Sequence, residues 1–509
     1  MDSDNTNETQ TTRHSNVVVI GILAAILAVG LVVRLIGLES QSLTMDECFE
    51  RDTATMELGT LVQHPNSFPP LYHLMLKGWL GVDQSEIAVR WFSVICGMLS
   101  LVILWWLVRY FANDRLAWWS VLLAAISPFH IYYSQEGRSY ILYLLFALLA
   151  VAFLVRWMES GSLWDGAGFV VASVAGLYTH YFFVIVLVTL GIGSLAMGKM
   201  QFVMRKLVPA GVLIGLLGLP LLFLVGNDLD YQKGYGDPRP MDMASVGYTY
   251  FSLFSGYTLG PSRSELHMAN GPDAIQSSLI WLGLATVVVI PLLLLGARYL
   301  RQHGNVNLWL VLLILPIPLL WIICTAFGVT YNTRFLNWLW IPFCILMAAG
   351  IASIDKRSMR FIALAALAGI FAVAIYNRHS VDRYRNEDIR AAAEYIQHET
   401  GQPVLVCAAY MHRPLNHYLR DSMELVPIGP GKPEVVTEIS QQNVRAWRDK
   451  PFLLVYTREF HSDPQGDILR RLMGESDPQP VFVAAGVRVY SWIPEEVREQ
   501  VDEIQTAMR

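Results

Sequence analysis

The chain contains 509 residues, of which 54% are hydrophobic and 16% charged, and long stretches with few or no charges lie within residues 16–376. Apolar runs of this length are what a segment needs to cross the hydrocarbon layer of a bilayer, so the composition excludes a purely soluble protein. The net charge of −5 offers no basic surface for nucleic acid, and the five cysteines show neither a CxxC spacing nor a disulfide framework.

The apolar segments predict an α-helical polytopic membrane protein with about eleven transmembrane helices. The N-terminal tail, residues 1–15, is polar and slightly acidic, unlike the positive n-region of a cleaved signal peptide, so the first helix is expected to be retained. A polar cluster at 178–181 favours two short helices over one long run across 165–198. The predicted helices cover residues 16–37, 88–108, 115–131, 138–157, 165–179, 182–198, 206–226, 277–299, 307–327, 335–354 and 359–376.

Lysine and arginine residues concentrate in alternate short loops, and this bias predicts the orientation of the helices. The tail 1–15 is then cytoplasmic, and the long loops 38–87 and 227–276 lie on the extracytoplasmic side. The odd number of helices places residues 377–509 on that side as well. The transmembrane domain is therefore expected to cover residues 16–376, with its functional face outward.

The charged segment 377–509 alternates predicted helices and strands, which indicates a soluble α/β domain. Its amphipathic segments predict helices, and its short apolar runs bounded by glycine or proline predict buried strands. The predicted elements are helices at 387–397 and 466–474, strands at 403–410 and 451–457, and a hairpin at 481–493 that turns near Ala485 and Gly486.

The sequence SLTMDECFERD, residues 42–52, follows the first apolar run and carries two adjacent carboxylates, Asp46 and Glu47. Thr44 followed three residues later by Glu47 is typical of a capping box at the start of a helix. Two interpretations stay open at this point. Both acids serve the helix start and the surface, or at least one of them carries chemistry.

Further short motifs fall on the predicted outer face. The segment HPNSFPPLYHLMLKGW at 64–79 is expected to open a short helix after its prolines. The others are SPFHIYYSQEGRSY at 127–140, YTHYF at 178–182 and TYNTRFLNW at 330–338.

The order and spacing of these motifs resemble the GT-C glycosyltransferases, in particular the family 39-like branch that contains protein O-mannosyltransferases and lipid A aminoarabinose transferase. The resemblance covers roughly residues 16–376. It implies a GT-C fold and inverting transfer of a sugar from a polyprenyl-phosphate donor in the bilayer to an extracytoplasmic lipid, glycan or protein acceptor. The short loops, without a large luminal insert of the eukaryotic type, favour a bacterial plasma membrane as the location.

The resemblance implies roles for the outer carboxylates and cations. Asp46 matches the catalytic loop aspartate and is expected to be the general base, while Glu47 orients the acceptor or completes the cap. Arg138 and Arg334 are expected to bind the donor phosphate together with Tyr331. The alternative is that both arginines snorkel to ordinary headgroups and that Tyr331 belongs to the interfacial aromatic belt.

Three further residues are predicted to line the substrate site, namely His180, Tyr181 and Glu136. Each has a simpler interpretation, because His180 and Tyr181 suit an interfacial hairpin and Glu136 can neutralise Arg138 in its own turn.

His64 and His73 could pair with a carboxylate to bind zinc, but their spacing matches no dedicated zinc pattern, so no metal site is predicted. No cofactor is expected either, although a divalent metal is left open.

Two other classes of protein are alternatives to a glycosyltransferase. A transporter or flippase of lipid-linked sugars also has about a dozen helices, but it usually shows internal repeats and ionisable residues in mid-membrane, and neither is evident here. A non-catalytic membrane scaffold would make Asp46 and both arginines dispensable.

Overall fold

The computed structural model describes residues 3–64, 69–232, 241–262, 265, 276, 278–303, 306–399, 401–420, 422–429, 447–474 and 478–494. Most of these residues are helical. The first half of the chain forms helices α1 Ser3–Leu35, α2 Met45–Thr55, α3 Leu58–Gln63, α4 Leu71–Leu80, α5 Glu86–Phe111, α6 Asp114–Ile126, α7 Pro128–Ser134, α8 Tyr140–Ser160, α9 Leu163–Leu177 and α10 Phe183–Ala196.

The remaining membrane region continues in the same manner. Helix α11, Met200–Phe202, continues through a π-helical segment, Val203–Leu207, into helix α12, Val208–Gln232. A 3₁₀ helix, Thr333–Leu339, precedes helix α17, Trp340–Ser353. The helices of this part are α11 Met200–Phe202, α12 Val208–Gln232, α13 Met243–Ser255, α14 Leu279–His303, α15 Val306–Ile314, α16 Pro316–Phe327, α17 Trp340–Ser353 and α18 Arg357–Ser380.

Eight helical segments among the described residues are long and apolar enough to cross a membrane, and a ninth results if α6 and α7 count as one span bent by 59°. The bend falls at Ser127, whose side chain caps α7, with Pro128 as the first helical residue. Helices α9 and α10 are shorter apolar helices. The chain is therefore an integral membrane protein, as predicted, while the count of eleven spans stays a prediction.

Two boundaries differ from those expected from the sequence. Helix α1 begins at Ser3, so most of the predicted tail 1–15 continues the first helix. The predicted loop 227–276 contains helix α13, and it lies partly outside the described residues. The turn predicted at 178–181 is present between α9 and α10.

Small residues allow the closest helix packing in the membrane region. An added Cβ at Gly296 of α14 would lie 1.9 Å from the carbonyl oxygen of Leu346, and one at Gly350 of α17 would lie 2.1 Å from that of Leu292. The two backbones are therefore in direct contact, which is how membrane helices associate where apolar burial gives no driving force.

A fully buried arginine fixes the end of α1. Arg34 uses all five N–H groups, donating to the carbonyl oxygens of Gly30, Ala124 and Ala125 and to the side chains of Ser134 and His130. A buried cation needs this many partners in a low-dielectric interior. The network ties α1 to the junction of α6 and α7, and so positions the segment that follows α1.

The C-terminal region is a five-stranded sheet with helices, which confirms the predicted α/β domain. Its strand order is β2-β1-β3-β5-β4, with β1 parallel to β2 and β3 and with β5 antiparallel to β3 and β4. The elements are α19 Ile389–Gln397, β1 Val404–Cys407, α20 His412–Leu419, β2 Leu425–Pro427, β3 Phe452–Thr457, α21 Glu459–Ser462, α22 Asp467–Met473, β4 Phe482–Ala484 and β5 Val487–Trp492.

The predicted hairpin turn is present at Gly486, which has a φ of +66° that favours glycine. Helix α20 and strand β2 had not been predicted. Strand β2 is only three residues long and ends at Pro427, so it lacks the apolar run that signals a strand.

The sheet domain packs against α2. Met45 and Phe49 of α2 belong to the same hydrophobic cluster as Ile389 and Val404 of the sheet domain. Polar contacts surround this cluster, and they connect Ser42 Oγ to Asp388 Oδ1 at 2.8 Å, Leu43 N to the Tyr418 hydroxyl at 2.8 Å and Arg390 Nη2 to Glu86 Oε2 at 2.8 Å. Helix α2 is thus held between the membrane helices and the sheet domain.

Candidate active site

The start of α2 forms the predicted capping box. The backbone N–H of Glu47 donates to Thr44 Oγ1 at 3.2 Å, and the backbone N–H of Thr44 donates to Glu47 Oε2 at 2.9 Å. Each side chain thereby satisfies an amide that the first helical turn leaves without a partner.

Glu47 has a second and stronger set of partners. Its carboxylate pairs bidentately with Arg90 of α5 at 2.8 and 2.9 Å, and it accepts the backbone N–H of Gly137 at 2.9 Å. Burial opposes the charge on Glu47, but Arg90 and these backbone N–H groups outweigh it and lower the pKa of this carboxyl. With a side chain that is 2% exposed, Glu47 is a structural ion-pair partner.

Arg90 also fixes the backbone before α2. Its remaining N–H groups donate to the carbonyl oxygens of Leu38, Gln41 and Ser42 at 2.7 to 2.9 Å. The guanidinium therefore holds the turn between α1 and α2 and the carboxylate of Glu47 in one network. Arg90 is thus a buried residue that shapes this segment.

Asp46 occupies a different environment from its neighbour. Its Oδ1 lies 3.8 Å from Arg138 Nη1, and its Oδ2 lies 3.6 Å from Arg334 Nη1. Both distances exceed hydrogen-bond length, and the side chain is 32% exposed. The structure thus brings together Asp46 and the two predicted cations, which lie 92 and 288 residues further along the chain.

Glu50 is a fourth member of this cluster. Its Oε1 lies 2.8 Å from Arg138 Nη1, and its Oε2 contacts His73 Nε2 of α4. Burial opposes ionisation of Glu50, but Arg138 and His73 outweigh burial and lower the pKa of this carboxyl. In return, Asp46 and Glu50 overcome the burial of Arg138 and raise its pKa well above the ordinary value.

Both arginines also contact Tyr140, the first residue of α8. The guanidinium carbons of Arg138 and Arg334 lie 5.5 and 5.3 Å from the centre of its ring, which is within the range of cation–π attraction. The Nε atoms of both arginines are buried and have no hydrogen-bond partner among the described residues. The two guanidiniums keep unused donors although the carboxylates of Asp46 and Glu50 lie beside them, and such donors suit an oxyanion.

The two segments that carry the arginines are fixed by local contacts. Arg138 ends a turn whose Gly137 N–H is bound to Glu47, and an added Cβ at Gly137 would lie 2.6 Å from Val89 Cγ1. Arg334 lies in the 3₁₀ helix that begins after Asn332, whose side chain accepts the backbone N–H of Arg334 at 3.2 Å.

His180 lies beside this cluster at the turn between α9 and α10. Its ring stacks on Tyr143 at 4.7 Å and lies among Phe182, Tyr181 and Phe335. Burial, followed by the nearby charges of Arg334 and Arg138, lowers the pKa of His180 to about 3, so the imidazole is neutral at physiological pH.

The other predicted residues are placed less centrally. The Tyr331 hydroxyl contacts Thr249 Oγ1 of α13, so Tyr331 supports the segment before Arg334 rather than joining the arginine cluster. Tyr181 is half-buried against His180 and Phe182.

Glu136 lines a cleft that adjoins Asp46 on the side of the sheet domain. We call this the polar cleft, and it encloses about 360 Å³, part of which is open solvent. Its lining residues are all polar or aromatic and come from the start of α2 with its N-cap, from α7 and the turn after it, from α18 and from the sheet domain, namely Thr44, Asp46, Glu47, Tyr132, Gln135, Glu136, Arg378, Asn386 and Arg458.

The fold that carries this site has been seen before. The computed structural model aligns with ArnT from Cupriavidus metallidurans in the apo state at a TM-score of 0.62 and 12% identity, covering 93% of this chain and 98% of ArnT. ArnT bound to undecaprenyl phosphate aligns at a TM-score of 0.56 and 13% identity over the same shares. The chain has the GT-C fold.

Two further comparisons agree with this GT-C fold. The apo oligosaccharyltransferase of Archaeoglobus fulgidus aligns at a TM-score of 0.51 and 11% identity, covering 90% of this chain and 71% of that protein. The family model of dolichyl-phosphate-mannose-protein mannosyltransferases matches residues 64–223. Comparison with curated protein sequences gave no match.

Among the residues that the structure describes, no group of three or more His, Cys, Asp and Glu side chains is arranged to hold a metal ion. His73 does pair with a carboxylate, that of Glu50, and the pair contacts Arg138 through the same carboxylate.

Sequence reasoning missed several residues of the site. Glu50 follows Asp46 by four residues and therefore lies on the same face of α2, a spacing that could have identified it. Asn386 and Arg458 belong to the sheet domain, and their place beside Asp46 depends on how that domain packs on α2. No local sequence signal marks such a long-range contact.

Proposed function

We propose that the chain is an inverting glycosyltransferase that moves a sugar from a polyprenyl-phosphate donor to an extracytoplasmic acceptor. The observation that carries the proposal is the placement of Asp46 between Arg138 and Arg334 within a GT-C fold. ArnT, which shares the fold, has been crystallised with undecaprenyl phosphate, and the matching family is named for a dolichyl-phosphate sugar donor.

The arginines are proposed to bind the donor phosphate. Phosphate is a good leaving group when its developing charge is met by fixed cations, so the reaction needs no general acid at the leaving oxygen. Arg138 and Arg334 converge on one point and keep buried Nε donors without partners among the described residues. Glu50 offsets part of the charge on Arg138 and fixes its position.

Asp46 is proposed to be the general base. The acceptor oxygen or nitrogen bonds to the anomeric carbon from the face opposite the phosphate, the bond from that carbon to the phosphate oxygen breaks, and the acceptor proton passes to Asp46. The electron pair of the broken bond leaves with the polyprenyl phosphate. Asp46 suits this role because its contacts with the arginines are long and its side chain is partly exposed.

The neighbouring predicted residues receive supporting roles. Glu47 is proposed to be structural, because its carboxylate is committed to Arg90 and to backbone N–H groups. His180 and Tyr181 are proposed to line the donor side as neutral groups, and Glu136 the acceptor side. Tyr331 is proposed to act on the donor only by supporting the segment that carries Arg334.

The loop charges support a proposed location. Arginine and lysine residues concentrate in alternate short loops of the sequence, which favours a cytoplasmic N-terminus and an extracytoplasmic site and sheet domain in a bacterial plasma membrane. The donor then enters from the bilayer and the acceptor from the aqueous side, with no cofactor required by the proposed steps.

The experiment that tests this function uses the purified chain in sealed proteoliposomes. Radiolabelled undecaprenyl-phosphate sugars are supplied with a membrane extract as the source of acceptors, and the label is followed by extraction and chromatography. Transfer of label to an acceptor supports the proposal. Movement of the labelled lipid across the sealed bilayer without transfer would instead indicate a transporter. The absence of both transfer and movement would indicate a non-catalytic scaffold.

A further inference from the structure

The polar cleft lies where an acceptor would approach Asp46. We infer that it is the acceptor subsite and that it takes a neutral carbohydrate hydroxyl, positioned by Asn386 and Arg458 of the sheet domain. This inference rests on the proposed glycosyltransferase function and specifies its acceptor class. It also gives the sheet domain a role in the reaction.

The lining of the cleft matches the chemistry of a sugar. A hydroxyl both donates and accepts hydrogen bonds, so a polyol needs donors and acceptors side by side. Carboxylates of Asp46 and Glu136 accept, the guanidinium of Arg458 donates, and the carboxamide of Asn386 does both. Among the described residues no aliphatic side chain lines the cleft, whereas most small-molecule pockets are lined largely by apolar groups.

The charges of the cleft disfavour an anionic acceptor. Three carboxylates line it, those of Asp46, Glu47 and Glu136. Its two arginines already have partners within the protein. Arg458 pairs bidentately with Glu387 at 2.7 and 3.2 Å, and Arg378 donates to Gln135 and lies 4.3 Å from the ring centre of Tyr132. Arg90 offsets the charge of Glu47 and Glu387 offsets that of Arg458, so a phosphate group in the cleft would meet the carboxylates of Asp46 and Glu136 against the guanidinium of Arg378.

Arg458 is held in place by more than its ion pair. It lies between β3 and α21 with a φ of +48°, a left-handed conformation that costs a non-glycine residue energy. Its guanidinium is 5.7 Å from the ring centre of Tyr410, and the carboxylate of Glu387 fixes the orientation of the guanidinium. The backbone of the neighbouring Asn386 donates to Gln41 Oε1 at 3.2 Å, which ties this part of the sheet domain to the segment before α2.

The test measures binding and transfer separately, with defined probes. Isothermal titration calorimetry is performed on the purified full chain with a panel of methyl glycosides of hexoses and N-acetylhexosamines, a hexose 6-phosphate and a short Ser/Thr peptide. We expect a methyl glycoside to bind, and Asn386→Ala and Arg458→Gln to weaken its binding about tenfold, as the loss of one or two hydrogen bonds would. In transfer assays, the KM for the glycoside should rise more than kcat falls.

Matched variants separate positioning from folding. Glu387→Gln removes the carboxylate that pairs with Arg458 but keeps the guanidinium of Arg458 in the cleft. It should therefore weaken glycoside binding less than Arg458→Gln does. Arg470→Gln breaks an exposed ion pair with Asp467 on the same domain and should leave glycoside binding unchanged. Glycoside binding by Arg458→Gln as tight as that of the wild type would overturn the role of Arg458.

The outcomes distinguish this inference from the function on which it rests. Glycoside binding that depends on Asn386 without any sugar transfer would support the subsite and contradict the proposed function. Sugar transfer in which Asn386→Ala leaves glycoside binding and KM unchanged would overturn the subsite alone. Preferred binding of the hexose phosphate or of the peptide would overturn the neutral-carbohydrate assignment.

Discussion

Glu50 Oε1 lies 2.8 Å from Nη1 of Arg138, and Asp46 Oδ1 lies 3.8 Å from the same nitrogen. The buried carboxylate, one helical turn beyond Asp46, therefore holds the guanidinium at close range, while the partly exposed carboxylate stays at longer range. Arg138 can keep its position when a phosphate enters, because its close partner is Glu50. Asp46 can then turn from the arginines toward an acceptor.

This relationship predicts the effect of Glu50→Gln. The variant keeps the shape of the side chain but removes the charge that fixes Arg138 and pairs with His73. We expect a lower melting temperature, corresponding to about 1–3 kcal/mol, and a higher KM for the polyprenyl-phosphate donor. Thermal unfolding and initial-rate assays measure both. Glu57→Gln, at an exposed position next to α3, is the control, and equal donor KM values in the two variants would refute the positioning role.

Substitutions of the two adjacent carboxylates, Asp46 and Glu47, are expected to lower the stability of the protein by different amounts. Glu47→Gln leaves Arg90 buried without its charge partner, and loss of one member of a buried pair costs about 3–5 kcal/mol. Asp46→Asn keeps the shape of a partly exposed side chain whose ion pairs with Arg138 and Arg334 are long, and it should lower the melting temperature little. Differential scanning fluorimetry in detergent compares the two. An Asp46→Asn variant as unstable as Glu47→Gln would show that Asp46 is also a structural residue.

The proposed phosphate site predicts a specific loss of lipid binding. Arg334→Gln removes a charge-assisted donor, so the dissociation constant for undecaprenyl phosphate should rise about 10- to 100-fold. Arg109→Gln is the control, because Arg109 is also an arginine at a helix end but pairs with Asp114 away from Asp46. Binding is measured by fluorescence quenching in nanodiscs. If both variants bind the lipid phosphate as the wild type does, Arg334 is an ordinary interfacial anchor.

The buried imidazole of His180 predicts a pH dependence of stability. The folded state lowers the pKa of His180 from 6.5 to about 3, so below pH 6.5 the unfolded chain binds a proton that the folded chain does not. Stability contributed by neutral His180 is therefore complete above pH 6.5 and is lost as the pH falls. Lowering the pH from 6.5 to 5 therefore lowers the free energy of unfolding by about 1–2 kcal/mol. Unfolding of His180→Gln, followed over the same range, should be less sensitive to acid, and an identical pH profile would contradict the assignment.

Much of the fold could be predicted from short segments of the sequence taken one at a time. The apolar runs, the capping box of Thr44 and Glu47 and the hairpin at Gly486 are local features, and each depends on neighbouring residues and on backbone chemistry alone. The elements that were missed are those with weak local signals. Strand β2 is three residues long and gains its place only by pairing with β1.

The candidate site also contains some residues that the local sequence identifies and others that only long-range packing brings into place. Asp46, Arg138 and Arg334 were identified from motif order, and their approach to one another follows from the packing of helices far apart in the sequence. Glu50 was overlooked although its spacing from Asp46 identifies its helix face. The contribution of Arg458 could not be anticipated, because it depends on the packing of the sheet domain against α2.

The central claim is that Asp46 is the general base of a sugar transfer. The most direct measurement is the rate of transfer from a radiolabelled undecaprenyl-phosphate sugar by purified wild type and Asp46→Asn, with lipid-phosphate binding measured on the same samples. We expect Asp46→Asn to lower the transfer rate at least about 10²-fold while the folded variant still binds undecaprenyl phosphate. Transfer by Asp46→Asn at a rate close to that of the wild type would contradict the central claim.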